Sequence, residues 1–183
     1  MLERKVIEFC APTLAGLKTA GLFNYKFEKE TCLKEELRAI NKKLNSKGIF
    51  VEALNQKELQ ALVFVYRQKR LEADLNTRGA KELLVKMGYE KLEWRACLEE
   101  LKARLWKYQC FPHEIGLFLG YPLCDVVGFI EQKGKNYKCV GPWKVYGNET
   151  EMIKVFCRLK KCREVYGKLF DEGRSIQKLT VAA

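Results

Sequence analysis

The chain has one histidine, and it lies in the segment with the clearest capacity for chemistry, residues 111–122. Pro112 is suited to the first position of a helix, which would place His113 and Glu114 in the first turn. The positive end of the helix dipole favours a carboxylate there and disfavours a protonated imidazole. A neutral His113 can therefore act as a base, a donor or a ligand, and Glu114 is a second candidate catalytic residue.

His113 and Glu114 cannot form one acid/base pair, because adjacent helical residues point about 100 degrees apart. A more distant partner is required, and Asp125, Tyr121 and Cys110 are close enough in sequence to be considered. Spacing selects none of them, and we keep Asp125 as the third catalytic candidate. The alternative is structural, since polar residues at a helix start also cap exposed amides.

A second segment with possible chemistry interleaves aromatic and basic residues between positions 137 and 146. This combination can stack on nucleic-acid bases while neutralising phosphates, although an ordinary edge strand has the same composition. Lys138, Trp143 and Tyr146 of this segment are candidate ligand-binding residues. Tyr121, which is near in the sequence, is a fourth candidate.

Two motifs that resemble binding sites are incomplete. Cys110 and His113 have the spacing of half a zinc site, but no second pair completes four ligands, so we predict no metal site. A single Cys or His can still contact haem iron, which keeps an iron- or haem-linked redox role as an alternative.

Gly16-Leu17-Lys18-Thr19 lacks the glycine that a phosphate-binding loop places before its lysine. Lys18 remains a candidate contact for an anionic ligand, and the alternative is that it covers a sheet edge.

The composition indicates a globular protein rather than a disordered or membrane protein. The chain has 183 residues, 48% apolar and 31% charged, which predicts a single domain over residues 1–183. It shows no signal peptide and no apolar run of about 20 residues, so we expect a cytoplasmic protein without a membrane partner. In that compartment the eight cysteines are expected to be reduced thiols.

The net charge of +11 favours anionic partners. The main interpretation is a small anionic ligand. Nucleic acid or an acidic protein is the alternative, bound through Lys154, Arg158 and Lys161, which helical spacing places near one another. A solvated basic surface without a partner is also consistent with this composition. The sequence leaves open whether the protein is an enzyme, and it does not define an oligomeric state.

Hydrophobic periodicity predicts an α+β fold, in which a small mixed or antiparallel sheet of about three to four strands packs against several helices. The predicted strands cover residues 22–27, 49–54 and 61–66, and residues 136–146 form an extended segment with a turn at Gly141-Pro142. The predicted helices are a short one ended by Pro12, residues 33–44, 71–75, 80–87, 94–108, one starting at Pro112, 123–130, and a last one capped by Asn148 and ended by Gly173. The C-terminal half is therefore rich in helices.

Three blocks of the chain, residues 11–19, 111–130 and 135–146, resemble an uncharacterised bacterial family, domain of unknown function 3793. The stretch His113-Glu114-Ile115-Gly116 with the following Gly120-Tyr121-Pro122 is the most distinctive part. The resemblance implies a small cytosolic protein of bacteria, chiefly anaerobic Gram-positive ones, and it carries over no catalytic residue. Where Cys124 stands, such proteins are expected often to have an acidic residue, so this thiol is a poor candidate for shared chemistry.

Overall fold

A computed structural model describes residues 1–107 and 111–182. The chain divides into two compact units, which we call the sheet unit, Met1–Arg70 with Lys161–Ala183, and the helical unit, Leu71–Lys160. Over the described ranges, no helix combines the length and the apolar character needed to cross a bilayer. The sequence-based expectation of one domain over residues 1–183 stays a prediction.

The sheet unit contains an antiparallel sheet of three strands in the order β1-β3-β2. The strands are β1 (Ala20–Lys26), β2 (Ile49–Lys57) and β3 (Gln60–Arg67). Strand β3 is central because it pairs with both neighbours, Phe23 of β1 facing Val63 and Val51 of β2 facing Val65. Its continuous apolar run is buried on both faces, as expected for a strand covered by packing on each side.

Helices α1 (Leu2–Leu14), α2 (Glu30–Leu44) and α9 (Ile176–Leu179) supply the other half of the sheet unit's core. Their apolar residues recur at helical spacing, which directs one stripe of each longer helix toward the sheet. Leu33, Ile40 and Leu44 of α2 are buried in this way. The short helix α9 had no counterpart in the sequence-based prediction, yet Ile176 and Leu179 are buried in the same core.

The helical unit contains α4 (Arg78–Lys86), α5 (Trp94–Lys107), α6 (Ile115–Phe118) and α7 (Leu123–Glu131). A small antiparallel hairpin of β4 (Cys139–Val140) and β5 (Lys144–Val145) follows. Helix α3 (Gln68–Asn76) and the long helix α8 (Glu149–Asp171) include the positions at which the chain passes between units. Asn148 accepts a hydrogen bond from the Glu151 N–H at 3.2 Å, which caps α8 as predicted.

The α+β fold with its antiparallel sheet and helix-rich C-terminal half is confirmed, but two proline predictions are wrong. Pro12 does not end α1, which continues to Leu14. The only helical bond that its ring removes would join the exposed Glu8, whose carbonyl can be solvated. Pro112 does not begin a regular helix either, because α6 starts at Ile115 after a turn.

Candidate functional site

The helical unit has a cleft of about 360 Å³ beside the hairpin, which we call the ring cleft. Its walls include Phe111, His113, Tyr121, Phe129, Trp143 and Lys144. The loop before α6, helix α7 and the hairpin therefore meet at this place. A cleft of this size, mostly apolar with a few polar groups, has the character of a small-molecule site.

The stacked pair Tyr121 and Trp143 forms one wall of the ring cleft. Their ring centroids are 4.4 Å apart and their planes differ by 23°. Phe156 of α8 meets Trp143 edge-on, with centroids 4.6 Å apart and an interplanar angle of 88°. Phe156 also lies flush against Gly141, where an added Cβ would come within 2.3 Å of its ring. The indole is therefore held by ring contacts on two sides.

Asp125 fixes the hairpin to the start of α7. It is 2% exposed. Its Oδ2 accepts a hydrogen bond from the Trp143 indole N–H at 2.8 Å. Its Oδ1 accepts from the backbone N–H groups of Tyr146 and Gly147, each at 2.8 Å. Three donors and the N-terminal turn of α7 thus compensate the buried charge. This bonding gives Asp125, a predicted catalytic candidate, a structural role in positioning Trp143.

His113 lies at the exposed edge of the ring cleft. Its imidazole contacts the ring of Phe129 on α7, with centroids 5.0 Å apart in an edge-on arrangement. The backbone carbonyl of His113 accepts from the Gly116 N–H, which belongs to the turn that leads into α6. The regular helix has only four residues, Ile115–Phe118, so the argument from a helix dipole at His113 does not apply.

Lys144 supplies the cationic group of the ring cleft. Its Nζ donates to the Gly134 carbonyl oxygen at 2.7 Å and lies 4.7 Å from the centroid of the Tyr137 ring. The Phe129 ring is also near, with its centroid 5.8 Å from Nζ. An ammonium has three N–H donors, so Lys144 has donor capacity beyond its one bond to a carbonyl.

Glu114 does not face the ring cleft as a free carboxylate. It is 2% exposed, and its Oε1 accepts from Tyr89 Oη and Arg104 Nη1, each at 3.2 Å. Burial and the carboxylate of Glu114 together raise the pKa of Tyr89, which keeps this phenol a neutral donor. Glu114 therefore has the surroundings of a structural ion pair that joins the turn before α6 to α5.

The structure brings together His113, Tyr121 and Trp143 from the sequence-based candidates, with Asp125 behind them. Lys138 is not part of the cleft wall, and its Nζ donates to the Gly147 carbonyl oxygen at 2.7 Å. Tyr146 packs its ring on Gly128, and within the described residues its hydroxyl has no hydrogen-bond partner. Cys110, the remaining proposed partner of His113, lies outside the described residues. The functional roles of all these residues stay predictions.

Lys144, Phe129 and Phe111 line the ring cleft but were not among the residues chosen from the sequence. Lys144 was visible in the aromatic and basic segment, yet nothing in the sequence distinguished it from Lys138. Phe129 lies four residues after Asp125, on the same side of α7. That spacing was the one signal that could have placed it at the cleft.

Lys18, the remaining ligand-binding candidate, belongs to the sheet unit, whereas the ring cleft belongs to the helical unit. Its Nζ donates to the Ala20 carbonyl oxygen at 2.8 Å. Burial lowers the pKa of the Lys18 ammonium to about 8, with opposing effects from Cys10, which raises it, and Arg163, which lowers it. A role of Lys18 in contacting a ligand stays a prediction.

We expect Lys18 to make stability increase with pH. Its folded-state pKa of about 8 lies below the usual value of 10.5, so between these pH values the unfolded chain binds more protons at this group. Replacing Lys18 with methionine should remove that contribution. Urea unfolding of both proteins across this pH window measures it, and parallel pH profiles for wild type and Lys18→Met would contradict the expectation.

Two other cavities of the helical unit have less suitable chemistry for an anion. One of about 550 Å³ is lined by Glu90, Glu99 and Glu100 with a single lysine. Another of about 340 Å³ has Asp74 and no basic residue in its walls. Repulsion between like charges disfavours an anionic ligand at both. The ring cleft is therefore the best candidate among these three cavities.

In residues 1–107 and 111–182, no three side chains of His, Cys, Asp or Glu gather as a bound metal ion would require. Cys110, which the sequence pairs with His113 as half a zinc site, lies outside these ranges. The absence of a metal site and the alternative of iron- or haem-linked chemistry both stay predictions. The seven cysteines within the described ranges are free thiols.

Comparison with known proteins gives a family and no named relative. Neither the curated proteins nor the solved structures include a match to this chain. A family match covers residues 6–180, which is nearly the whole chain and includes every wall residue of the ring cleft. This chain therefore belongs to the family described as protein of unknown function, DUF3793.

Proposed function

We propose that the ring cleft binds a small anionic ligand. The observation that carries the proposal is the Lys144 ammonium on an otherwise apolar and aromatic wall. The one acidic residue in that wall, Asp125, already accepts three hydrogen bonds from N–H groups and is almost completely buried. Because the buried Asp125 oxygens face these N–H donors, the charge accessible to a ligand is that of the Lys144 ammonium, which favours an anion over a cation of the same size.

The titratable imidazole of His113 supports the same proposal. It lies at the exposed edge of the cleft, where it can donate a hydrogen bond to an anionic group or exchange a proton with a ligand. Binding is the proposed activity. Catalysis at this place would use His113, because Glu114 and Asp125 are both held in structural hydrogen bonds.

The proposal is tested by replacing Lys144 with glutamine and measuring the affinity for naphthalene-2-carboxylate by calorimetry. We expect the dissociation constant to rise roughly fivefold to tenfold, the size of effect that loss of one partly exposed charged contact produces. Lys138→Gln is the matched control, because Lys138 is an exposed lysine of the same segment that donates to Gly147 instead. Equal weakening by both variants, or by neither, would contradict the proposed site.

Nucleic acid or an acidic protein remains the alternative partner, with less support. Lys154, Arg158 and Lys161 are exposed on α8, as the alternative requires, but solvated basic residues are common on any surface. Binding of nucleic acid would weaken steeply with added salt, because several phosphate contacts release counterions. A ligand with one contact to Lys144 would show a much shallower dependence, so a salt titration separates these partners.

The proposed setting is the bacterial cytoplasm. The free thiols at the seven described cysteine positions are compatible with a reducing compartment. The net charge of +11 suits a protein that meets anionic solutes there. Separation of host cells into cytoplasmic, membrane and exported fractions, followed by mass spectrometry, tests this localisation.

A further inference from the structure

We infer that the ligand of the ring cleft carries its anionic group on a flat aromatic ring. This inference rests on the proposed function and specifies its ligand class. The reason is the shape of the walls, in which Phe111, Tyr121, Phe129 and Trp143 each contribute a ring. Four rings around about 360 Å³ give the cleft mainly planar surfaces.

The positions of these rings are fixed by contacts outside the cleft. Trp143 is held by its hydrogen bond to Asp125 and by the edge of Phe156. Tyr121 stacks face to face on Trp143, so each ring covers one face of the other and the pair is ordered before a ligand binds. Phe129 is held between the imidazole of His113 and the position of Gly134. A wall that is ordered before binding loses little conformational entropy when a ring stacks on it.

Other classes of anionic ligand fit these walls less well. A sugar phosphate would bring several hydroxyl groups against apolar rings, and each unpaired hydroxyl costs free energy on burial. A fatty acid would leave the ring faces without matching ring partners, and its flexible chain loses entropy on binding. An aromatic cation would gain from the rings but would approach the Lys144 ammonium. An aromatic acid meets none of these costs.

Lys144 and the exposed rim define how such a ligand would lie. The ring would enter between the Tyr121 and Trp143 wall and Phe129, with its acidic group toward the Lys144 Nζ. Phe111 is 47% exposed and Val140 is 62% exposed, and both belong to the cleft's lining. A flat ligand would cover these two apolar side chains, whose exposure otherwise leaves apolar surface in water.

The experiment compares naphthalene-2-carboxylate with decahydronaphthalene-2-carboxylate on the full chain. The two acids have the same charge and carbon skeleton, and they differ in whether the rings are flat and aromatic. We expect the aromatic acid to bind about fivefold more tightly, which is within the range of ring–ring preferences beyond burial. Binding is followed by the indole N–H resonance of Trp143 in a spectrum of ¹⁵N-labelled protein, assigned with Trp143→Phe.

Each outcome has a defined meaning. Tighter binding of the aromatic acid supports the inference. Equal binding of both acids overturns it and leaves the proposed anion site in place. Binding of neither acid, or of neutral naphthalene-2-carboxamide as tightly as the aromatic acid, overturns the proposed function itself. Failure of the inference and failure of the proposed function are therefore distinguishable in one series of titrations.

Two variants connect the preference to the named rings. Tyr121→Leu keeps an apolar side chain in the wall but removes the ring that stacks on Trp143. It should reduce the ratio of the two affinities toward one. Phe111→Leu is the second variant, because its exposed position allows substitution without risk to folding. It should lower the ratio partly, and an unchanged ratio in both variants would overturn the assignment.

Discussion

Replacing Asp125 with asparagine is expected to lower the free energy of unfolding by about 2–4 kcal/mol. The carboxylate accepts three hydrogen bonds from N–H groups at a position that is 2% exposed. An asparagine has one accepting oxygen, so its NH₂ group must face either the Trp143 indole N–H or the two backbone N–H groups. Two donors would then face each other without water to separate them.

The measurement is urea unfolding followed by circular dichroism and tryptophan fluorescence. Glu131→Gln is the matched control on the same helix, because Glu131 is exposed and lies 4.0 Å from Lys86 in an exposed pair. We expect that control to change stability by less than about 0.5 kcal/mol. An Asp125→Asn protein as stable as the control would show that the carboxylate is dispensable for the hairpin.

Replacing Arg67 with methionine should have a larger effect, a loss of roughly 3–5 kcal/mol in the free energy of unfolding. Arg67 is 4% exposed, and its guanidinium donates to the carbonyl oxygens of Thr13, Leu14 and Val181 at 2.7–2.9 Å. Two of these carbonyls belong to the C-terminal end of α1, where the helix dipole favours a cation. Methionine fills a similar volume but leaves these acceptors without their donor.

Arg70→Met is the control for that variant, since Arg70 is exposed and donates one hydrogen bond, to Gly16. It should cost about 1 kcal/mol. Arg67→Lys should fall between the two, because one ammonium cannot reproduce the planar geometry of a guanidinium. Equal stability of Arg67→Met and Arg70→Met would contradict the importance given to the buried guanidinium.

Most of the fold could be predicted from the sequence because its long elements have clear periodicity. The apolar run at residues 61–66 was compatible with a strand or a helix, and it forms the central strand β3. Pairing on both sides decided between the two, and pairing depends on β1 and β2 rather than on the run itself. Short elements were less predictable, since the four residues of α9 have too few positions to show a period.

The candidate site was predictable in part from residue types and turn signals. His113, Tyr121 and Trp143 could be selected by residue type, and turns marked by Gly and Pro bring such residues together. The choice between Lys138 and Lys144 was beyond the sequence, because a hairpin with two paired residues in each strand gives no alternation to read. The structural roles of Glu114 and Asp125 depend on partners 10 to 25 positions away along the chain.

The sheet unit is built from two stretches that are far apart in the sequence, so its core is completed late in biosynthesis. A ribosome produces residues 1–70 first, yet Ile176 and Leu179 of α9 belong to the same core as Leu2 and Leu14. The uninterrupted stretch Leu71–Lys160 has no such dependence on later residues for its own contacts. Until α9 is translated, the nascent sheet unit therefore exposes apolar core surface to water. Chaperones can bind such surface during this period.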